Sequence, residues 1–489
     1  MRFFWVIILG VVARGAIAQK LSLSLDDAIR LASEYSLDAQ LAKFSYTGAY
    51  WTYRSFRAEL LPSINLGGNL LNYNHSTVEA RNYETGEINY VDNNTLANSL
   101  TLSIDQNIPL LGGKLSVQSY LYRLDQFEYD RTMYNSQPLR LQYTQPLRTY
   151  NELKWRKKTE PVAFDRAGRV YLESMQNVSL RVTGLYFNVL SAQSRYNQAL
   201  ATLKDRETLY EQAKKRHELT TLSKSELLQL ELSLINARVE SKDLKLKLDN
   251  ERFALFSYIR ATDYDRVELV APTNVPDIVL MPDDVLQRAY DNSSYLPNNR
   301  LQLLQSEQSV AYAKSLKGLQ LTLSGEVGFN KTGYSFSKAY SRLNDNEIVG
   351  LTLSLPLFDW GVSKGRVKIA EANLDVVKTE QEIADMEFRQ QVRSQVETFN
   401  TQSSQFTDSR RMLEIAEERY QLTYRRFESG GVTVTELNTA QQELDNSRAQ
   451  YISQLSSFWT SYYNIQKITL HDYRTGTDLS DGYIYELQK

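Results

Sequence analysis

The 489-residue chain contains no cysteine and only three histidines, His75, His217 and His471. Without cysteine there is no disulfide framework, no cysteine-ligated zinc, no iron–sulfur cluster and no thiol nucleophile. Membrane attachment through a lipidated N-terminal cysteine is excluded as well. Three scattered histidines offer little for metal binding or acid–base chemistry. An excess of one charge is also missing: 56 basic residues face 58 acidic ones, a net charge of −2. Nucleic-acid binding would need a clear basic excess, so no such partner is expected. Beyond the N-terminus no apolar run approaches the roughly 20 residues of a membrane-spanning helix, and mean hydropathy is −0.44. These absences exclude helical spans only, because a spanning strand keeps alternate residues polar.

What is present begins with an address. Arg2 is followed by an apolar run from Phe3 to Ala13, and Ala16-Ile17-Ala18 precedes Gln19. A basic start, a short apolar centre and an A-x-A end predict a secretory signal peptide over 1–18. The chain after it is expected to be exported.

The remainder reads as a duplication. Asp26-Asp27-Ala28-Ile29-Arg30-Leu31-Ala32 resembles Asp283-Asp284-Val285-Leu286-Gln287-Arg288-Ala289, a shift of 257. Further on the shift is 210: Leu141-Gln142-Tyr143-Thr144-Gln145-Pro146-Leu147 pairs with Leu351-Thr352-Leu353-Ser354-Leu355-Pro356-Leu357. Ser225-Glu226-Leu227 and Thr435-Glu436-Leu437 match at that same offset. Repetition at a fixed offset marks repeated architecture. The change of shift places 47 extra residues in the first half, between Gly68 and Leu141.

Each half has the same predicted order: a short amphipathic helix, a second helix, strands, a very long helix, a break and a returning helix. Val349, Leu351, Leu353, Leu355 and Leu357 alternate with small or polar residues, as do Leu321, Leu323, Val327 and Phe329. Such runs of about 9–11 residues have the length of a tilted spanning strand. Gly365–Glu428 has no proline and no internal glycine, and as one helix it would run roughly 95 Å. The return carries Leu437, Gln441, Leu444, Arg448, Tyr451, Leu455, Phe458, Tyr462 and Ile465, a 4-3 coiled-coil seam. Leu230, Leu234, Ala237, Ser241, Leu244, Leu248 and Leu255 form its counterpart. Heptads alone would favour a soluble helical bundle, but that reading leaves the doubled strands unexplained.

With Pro356-Leu357-Phe358-Asp359-Trp360-Gly361 between strand and helix, and Arg426-Phe427 followed by Gly430 and Thr435-Glu436-Leu437, the pattern resembles the TolC-like outer membrane factor (outer membrane efflux protein) family. The resemblance covers essentially all of the chain after 1–18. It implies an α+β membrane protein: a homotrimer sharing one β-barrel in the outer membrane, continuous with a helical coiled-coil barrel across the periplasm of a Gram-negative bacterium. It implies an exit channel for tripartite efflux or type I secretion, not an enzyme. The partners it implies are a periplasmic adaptor (membrane fusion) protein, an inner-membrane transporter and outer membrane lipid. No cofactor, metal or catalytic residue is expected.

The expected segments are 19–61 (N-terminal helices), 62–147 (strands with an inserted hairpin), and 148–271 (long helix, tip turn near 219–223 and return). The second repeat follows with 272–318 (short helices), 319–358 (β-hairpin), and 359–470 (long helix, tip turn near 429–433 and return). Residues 471–489 are expected to be a tail. Asn72–Leu96, rich in Asn, Tyr and Thr, reads as a loop. The insertion reads as a hairpin turning at Gly112-Gly113. Its strands either join the barrel, giving six per chain, or sit inside or above it, and the strand direction favours joining.

Four groups of site residues follow. Asp359 reads as a helix N-cap. By the resemblance, Thr220, Thr221, Leu222, Gly430, Gly431 and Val432 belong to the adaptor-docking tip. Glu436, with Asn438 nearby, falls where the family carries a cation-selective acidic ring at the tunnel aperture; a capping-box glutamate after Thr433 is the alternative. Arg425 and Arg426 are candidate gate contacts or solvated cations. The competing functions are an exported coiled-coil scaffold or adhesin, and a secreted hydrolase using Asp26-Asp27 or Asp283-Asp284. The acidic pairs sit where helix N-caps belong, which disfavours the hydrolase.

Overall fold

The computed structural model describes residues 21–81, 84–218, 223–262, 267–428, 431–432 and 434–480; the expected signal peptide over 1–18 lies outside them. Strand β1 (Leu21–Leu23) and helices α1 (Leu25–Tyr35) and α2 (Leu37–Glu59) lead into four strands. These are β2 (Ser63–Arg81), β3 (Ile88–Ile108), β4 (Gly113–Gln126) and β5 (Arg131–Arg148). Helices α3 (Glu152–Glu218) and α4 (Lys224–Tyr258) complete the first half. The second half contains β6 (Val267–Leu269), α5 (Pro282–Asn292), α6 (Tyr295–Lys317), β7 (Gln320–Gly333), α7 (Phe336–Ala339) and β8 (Asn344–Ser354). Helices α8 (Val362–Glu428) and α9 (Val434–Thr469) and the short strands β9 (His471–Asp472) and β10 (Thr477–Asp478) end it. The duplication is written into the helix starts. α1 and α5 begin 257 residues apart, α3 and α8 begin 210 apart, and both long helices have 67 residues.

The helix starts have local causes. The Ser24 hydroxyl accepts from the Asp27 N–H at 3.1 Å and donates to its carboxylate at 2.7 Å, a reciprocal cap. The acidic pairs expected as caps therefore lie two and three positions inside the caps, Ser24 and Met281. Asp26, Asp27, Asp283 and Asp284 occupy first turns, where carboxylates face the positive helix end. α5 starts on Pro282, whose missing N–H costs nothing there.

The chain forms two compact units. The first comprises Met1–Ser45, Arg169–Ser294 and Glu387–Lys489. Its core contains Val178, Val182, Tyr186, Val392, Val396, Phe399, Leu455, Phe458 and Tyr462. The seams are the buried stripes: Leu234, Ala237, Ser241, Leu248 and Leu255 on α4, and Leu444, Leu455, Phe458, Tyr462 and Ile465 on α9. Arg448, one of the seam's two polar positions, stays exposed and pairs with Glu417 on α8 at 3.2 Å. β1 and β6 pair in parallel, and the buried Tyr186 hydroxyl donates to the carbonyls of Leu23 (2.8 Å) and Val270 (2.6 Å). The segment expected as a tail begins with structure, since β9 and β10 pair and His471 is buried.

The second unit comprises Tyr46–Gly168 and Tyr295–Met386. It holds a six-stranded antiparallel sheet in the order β2-β3-β4-β5-β7-β8. Most of Asn72–Leu96, expected as a loop, is ladder: His75 lies opposite Asn94, Thr77 opposite Asp92, and Arg81 opposite Ile88. Both faces there are polar, so the backbone pairs without leaving an alternating signature. A bulge between Asn69 and Asn72 separates this outer part from the apolar part. At it Leu71 takes φ 60° and donates its N–H to Asn98 Oδ1 at 2.8 Å.

Strand-to-helix junctions are capped in both halves. Asp359 accepts from the N–H groups of Gly361 (3.0 Å) and Ser363 (2.8 Å), and Gly361 sits at φ 88°. The first-half junction has neither aspartate nor glycine, and Asn151 substitutes by accepting from the Lys154 N–H at 2.9 Å.

Candidate functional site

The sheet is built inside out. In its register Ile64, Ile104, Val117, Leu141 and Val327 fall in one row across five strands, flanked by Leu66 and Leu102. β8 continues the apolar face with Val349 opposite Gly325 and Leu351 opposite Leu323. Apart from half-buried Val117 and Leu323, these side chains are 41–82% exposed. The alternate positions carry Ser103, Asp105, Ser116, Gln118, Arg140, Gln142 and Glu326. Ser103 and Ser116 are 9% and 4% exposed, and the Asp105 and Glu326 side chains 18% and 17%. A sheet folding in water buries its apolar face; here the polar face is the covered one.

That polar face is a connected network. Asp105 accepts from the hydroxyls of Ser116 (2.5 Å) and Ser103 (3.1 Å) and from the Asn65 amide (3.1 Å), with Lys114 at 3.3 Å. Arg140 donates to Gln118 and lies 3.8 Å from Glu326, which accepts from the Asn346 amide at 3.0 Å. Attention to the apolar phase of the alternation missed these residues; the polar phase of the same strands would have found them.

The second region is the helical tip. α8 ends with Arg425 and Arg426 in its last turn, where cations favour the negative helix end. Both side chains are exposed. The Gly431 N–H reaches back to the Arg426 carbonyl at 2.8 Å, the wide bond of a Schellman-type cap. Val432 is half-buried. Glu436 lies in the first turn of α9, exposed like Asn438. Thr220, Thr221, Leu222, Gly430 and Thr433 lie outside the described residues, so the capping-box alternative is not described. One chain thus carries one Glu436 at the tip, and a ring requires further copies. Among the described residues no helix is long and apolar enough to cross a membrane, and no group of three His, Cys, Asp or Glu could hold a metal ion.

Two further stripes complete the picture. In the first unit, Leu228, Leu232, Ile235 and Val239 of α4 recur at 4-3-4 spacing, and Leu246 and Phe253 follow at seven-residue steps. In the second, Val362, Ile369, Val376 and Ile383 of α8 recur every seven residues. All are exposed in the single chain.

Comparison with known proteins agrees with this anatomy. Residues 285–469 match the outer membrane efflux protein family. No curated protein matches the chain in sequence. Among solved structures, the CmeC outer membrane channel of Campylobacter jejuni aligns with a TM-score of 0.65 at 17% identity, covering 95% of this chain and 89% of that one. The outer membrane protein VceC of Vibrio cholerae aligns with a TM-score of 0.60 at 15% identity, covering 91% and 95%. The open-state MtrE outer membrane channel of Neisseria gonorrhoeae gives 0.55 at 14%, covering 91% and 88%. Residues 285–469 thus carry the match to the outer membrane efflux protein family, and over nine-tenths or more of its length the chain shares the fold of these outer membrane channels.

Proposed function

We propose that the protein is the outer membrane exit channel of a tripartite efflux pump or type I secretion system. Three copies share one β-barrel in the outer membrane of a Gram-negative bacterium, and their long helices form a tunnel across the periplasm. The inverted sheet carries this reading: leucines and isoleucines exposed on one face, with charged and hydroxyl side chains covered on the other, suit lipid outside and water inside. Two observations support several copies. The sheet has two open edges, β2 and β8, and lipid tolerates no unpaired edge, so other chains must close it. The unpartnered stripes on α4 and α8 are heptad seams that await neighbouring helices.

Conduction in this reading is passive, and the inner-membrane transporter and adaptor protein supply energy and cargo. The tip, with Thr220, Thr221, Leu222 and Gly430–Val432, receives the adaptor. Three Glu436 carboxylates, with Asn438 nearby, converge at the aperture and favour cations. Arg425 and Arg426 flank that closure. An exported coiled-coil scaffold would have no use for an exposed apolar face on the sheet. Detergent-purified protein added to planar bilayers tests the proposal. A trimer by mass and discrete single-channel steps are expected; a monomer without conductance would reject it.

A further inference from the structure

We propose that the inserted hairpin β3–β4 is part of the barrel wall, so that each copy contributes six strands and three copies close a barrel of eighteen. This inference rests on the trimeric barrel reading and concerns the width of its pore. The alternatives are a hairpin folded into the lumen and one standing above the membrane; the wall would then hold β2, β5, β7 and β8, about twelve strands in all.

Three observations place the hairpin in the wall. First, β3 is bonded along both sides, to β2 from Ser63↔Asp105 to Arg81↔Ile88 and to β4 from Thr95↔Gln126 to Ile108↔Gly113. β4 in turn pairs with β5 from Lys114↔Thr144 to Gln126↔Arg131. β2 and β5 are not neighbours, so moving the hairpin out of the wall would break two complete ladders and open two new edges. Second, the faces are in phase. Leu100, Leu102 and Ile104 lie on the side of Ile64 and Leu66 and are exposed like them, while Ser103 and Asp105 join the covered polar network. In a lumen or above the membrane that leucine row would meet water. Third, the hairpin turns at the level of the other strand–helix junctions. The Gln106 and Asn107 amides donate to the carbonyls of Leu60 (2.9 Å) and Glu59 (3.1 Å) at the end of α2. The Asn151 amide donates to Pro109 O at 3.0 Å, and the Gln145 amide to Leu111 O at 2.7 Å.

Barrel diameter grows roughly linearly with strand number, so eighteen strands give about 1.5 times the width of twelve, in the range of barrels that hold an open aqueous channel. Arg140, Glu326, Asp105 and Lys114 then line water rather than fill a plug. The size limit on cargo moves to the helical end of the duct.

The chain's lack of cysteine makes the test direct. Leu102→Cys on β3, Leu351→Cys on β8 and Ser103→Cys on the polar face are each labelled with bimane in full-length protein. The labelled proteins are reconstituted into phosphatidylcholine vesicles with brominated acyl chains. Loss of fluorescence is expected at positions 102 and 351, and none at 103. Quenching at 351 without quenching at 102 overturns the hairpin proposal and leaves the barrel reading standing. No quenching at either position overturns both. Leu100→Cys, also on the apolar face of β3, repeats the measurement should Leu102→Cys fail to assemble.

Discussion

Leu141 and Gln142 are neighbours in the chain, and the structure assigns them opposite surroundings. Leu141 lies on the central strand β5 between Val117 and Val327, on the exposed apolar face with Leu139 and Tyr143 above and below. Gln142 lies between Ser116 and Glu326 on the polar face. An arginine replacing Leu141 would meet lipid near mid-membrane, at a cost of about 2–4 kcal/mol. At about 1.4 kcal/mol per decade, this is roughly a 30- to 1000-fold shift against the inserted state. An arginine replacing Gln142 would meet Glu326 and water, and is expected to change stability by less than about 1 kcal/mol. The assay is refolding into lipid vesicles across a urea series, scored as the heat-resistant fraction on gels. Leu141→Arg should lose most of that fraction at urea concentrations where Gln142→Arg matches the wild type. In a water-soluble sheet the half-exposed Leu141 would accept arginine within about 0.5 kcal/mol. Equal behaviour of the two variants would refute the inside-out assignment.

Further expectations concern the helices. Phe458 is fully buried against Phe399 and Phe406, with ring centroids 5.5 and 5.9 Å away. Phe458→Ala should cost about 3–5 kcal/mol and lower the thermal midpoint followed by circular dichroism; an unchanged midpoint would remove Phe458 from the core. Burial alone would raise the Asp472 carboxyl, but hydrogen bonds from the Tyr462 hydroxyl and Arg474 N–H, with the Arg474 charge, hold it below its ordinary value. Its stabilisation is therefore complete above the unfolded-state value near 3.9 and lost as pH falls through the lower folded value. Asp472→Asn should flatten that part of the stability–pH curve, and a curve superimposable on the wild type would contradict the linkage. Glu436→Ala should weaken divalent-cation block of single-channel current; unchanged block would assign Glu436 to the start of α9 alone.

Much of this architecture was readable from periodicity, because the partner surface in each case is apolar. Leu234, Ala237 and Leu248 on α4, and Leu444, Leu455 and Phe458 on α9, announce their burial by spacing. Val349, Leu351 and Leu353 announce a strand. The outer β2–β3 ladder was not readable, because His75, Thr77, Asn94 and Asp92 give neither face an apolar signature. The cap of α1 was misplaced by at least two positions: a serine and two aspartates close together look alike as caps until Ser24 is seen accepting from Asp27. The Asp105 and Glu326 networks join residues far apart in sequence, and only the register brings Asp105 beside Ser116 and Gln142 beside Glu326. At the tip, the proposed Glu436 ring would need further copies, which one sequence cannot display.

The three-part make-up of the first unit governs when the chain can fold. β1 at Leu21–Leu23 finds its partner only at Val267–Leu269, and the core around Val182 and Tyr186 is completed by Phe399, Leu455 and Phe458. Contacts of such high sequence separation form late and slowly. A copy truncated before residue 455 would lack both Leu455 and Phe458 and leave this core open. Completion of the core therefore acts as a length check: a nascent chain stays unlocked, and open to chaperones and proteases, until its final helix arrives.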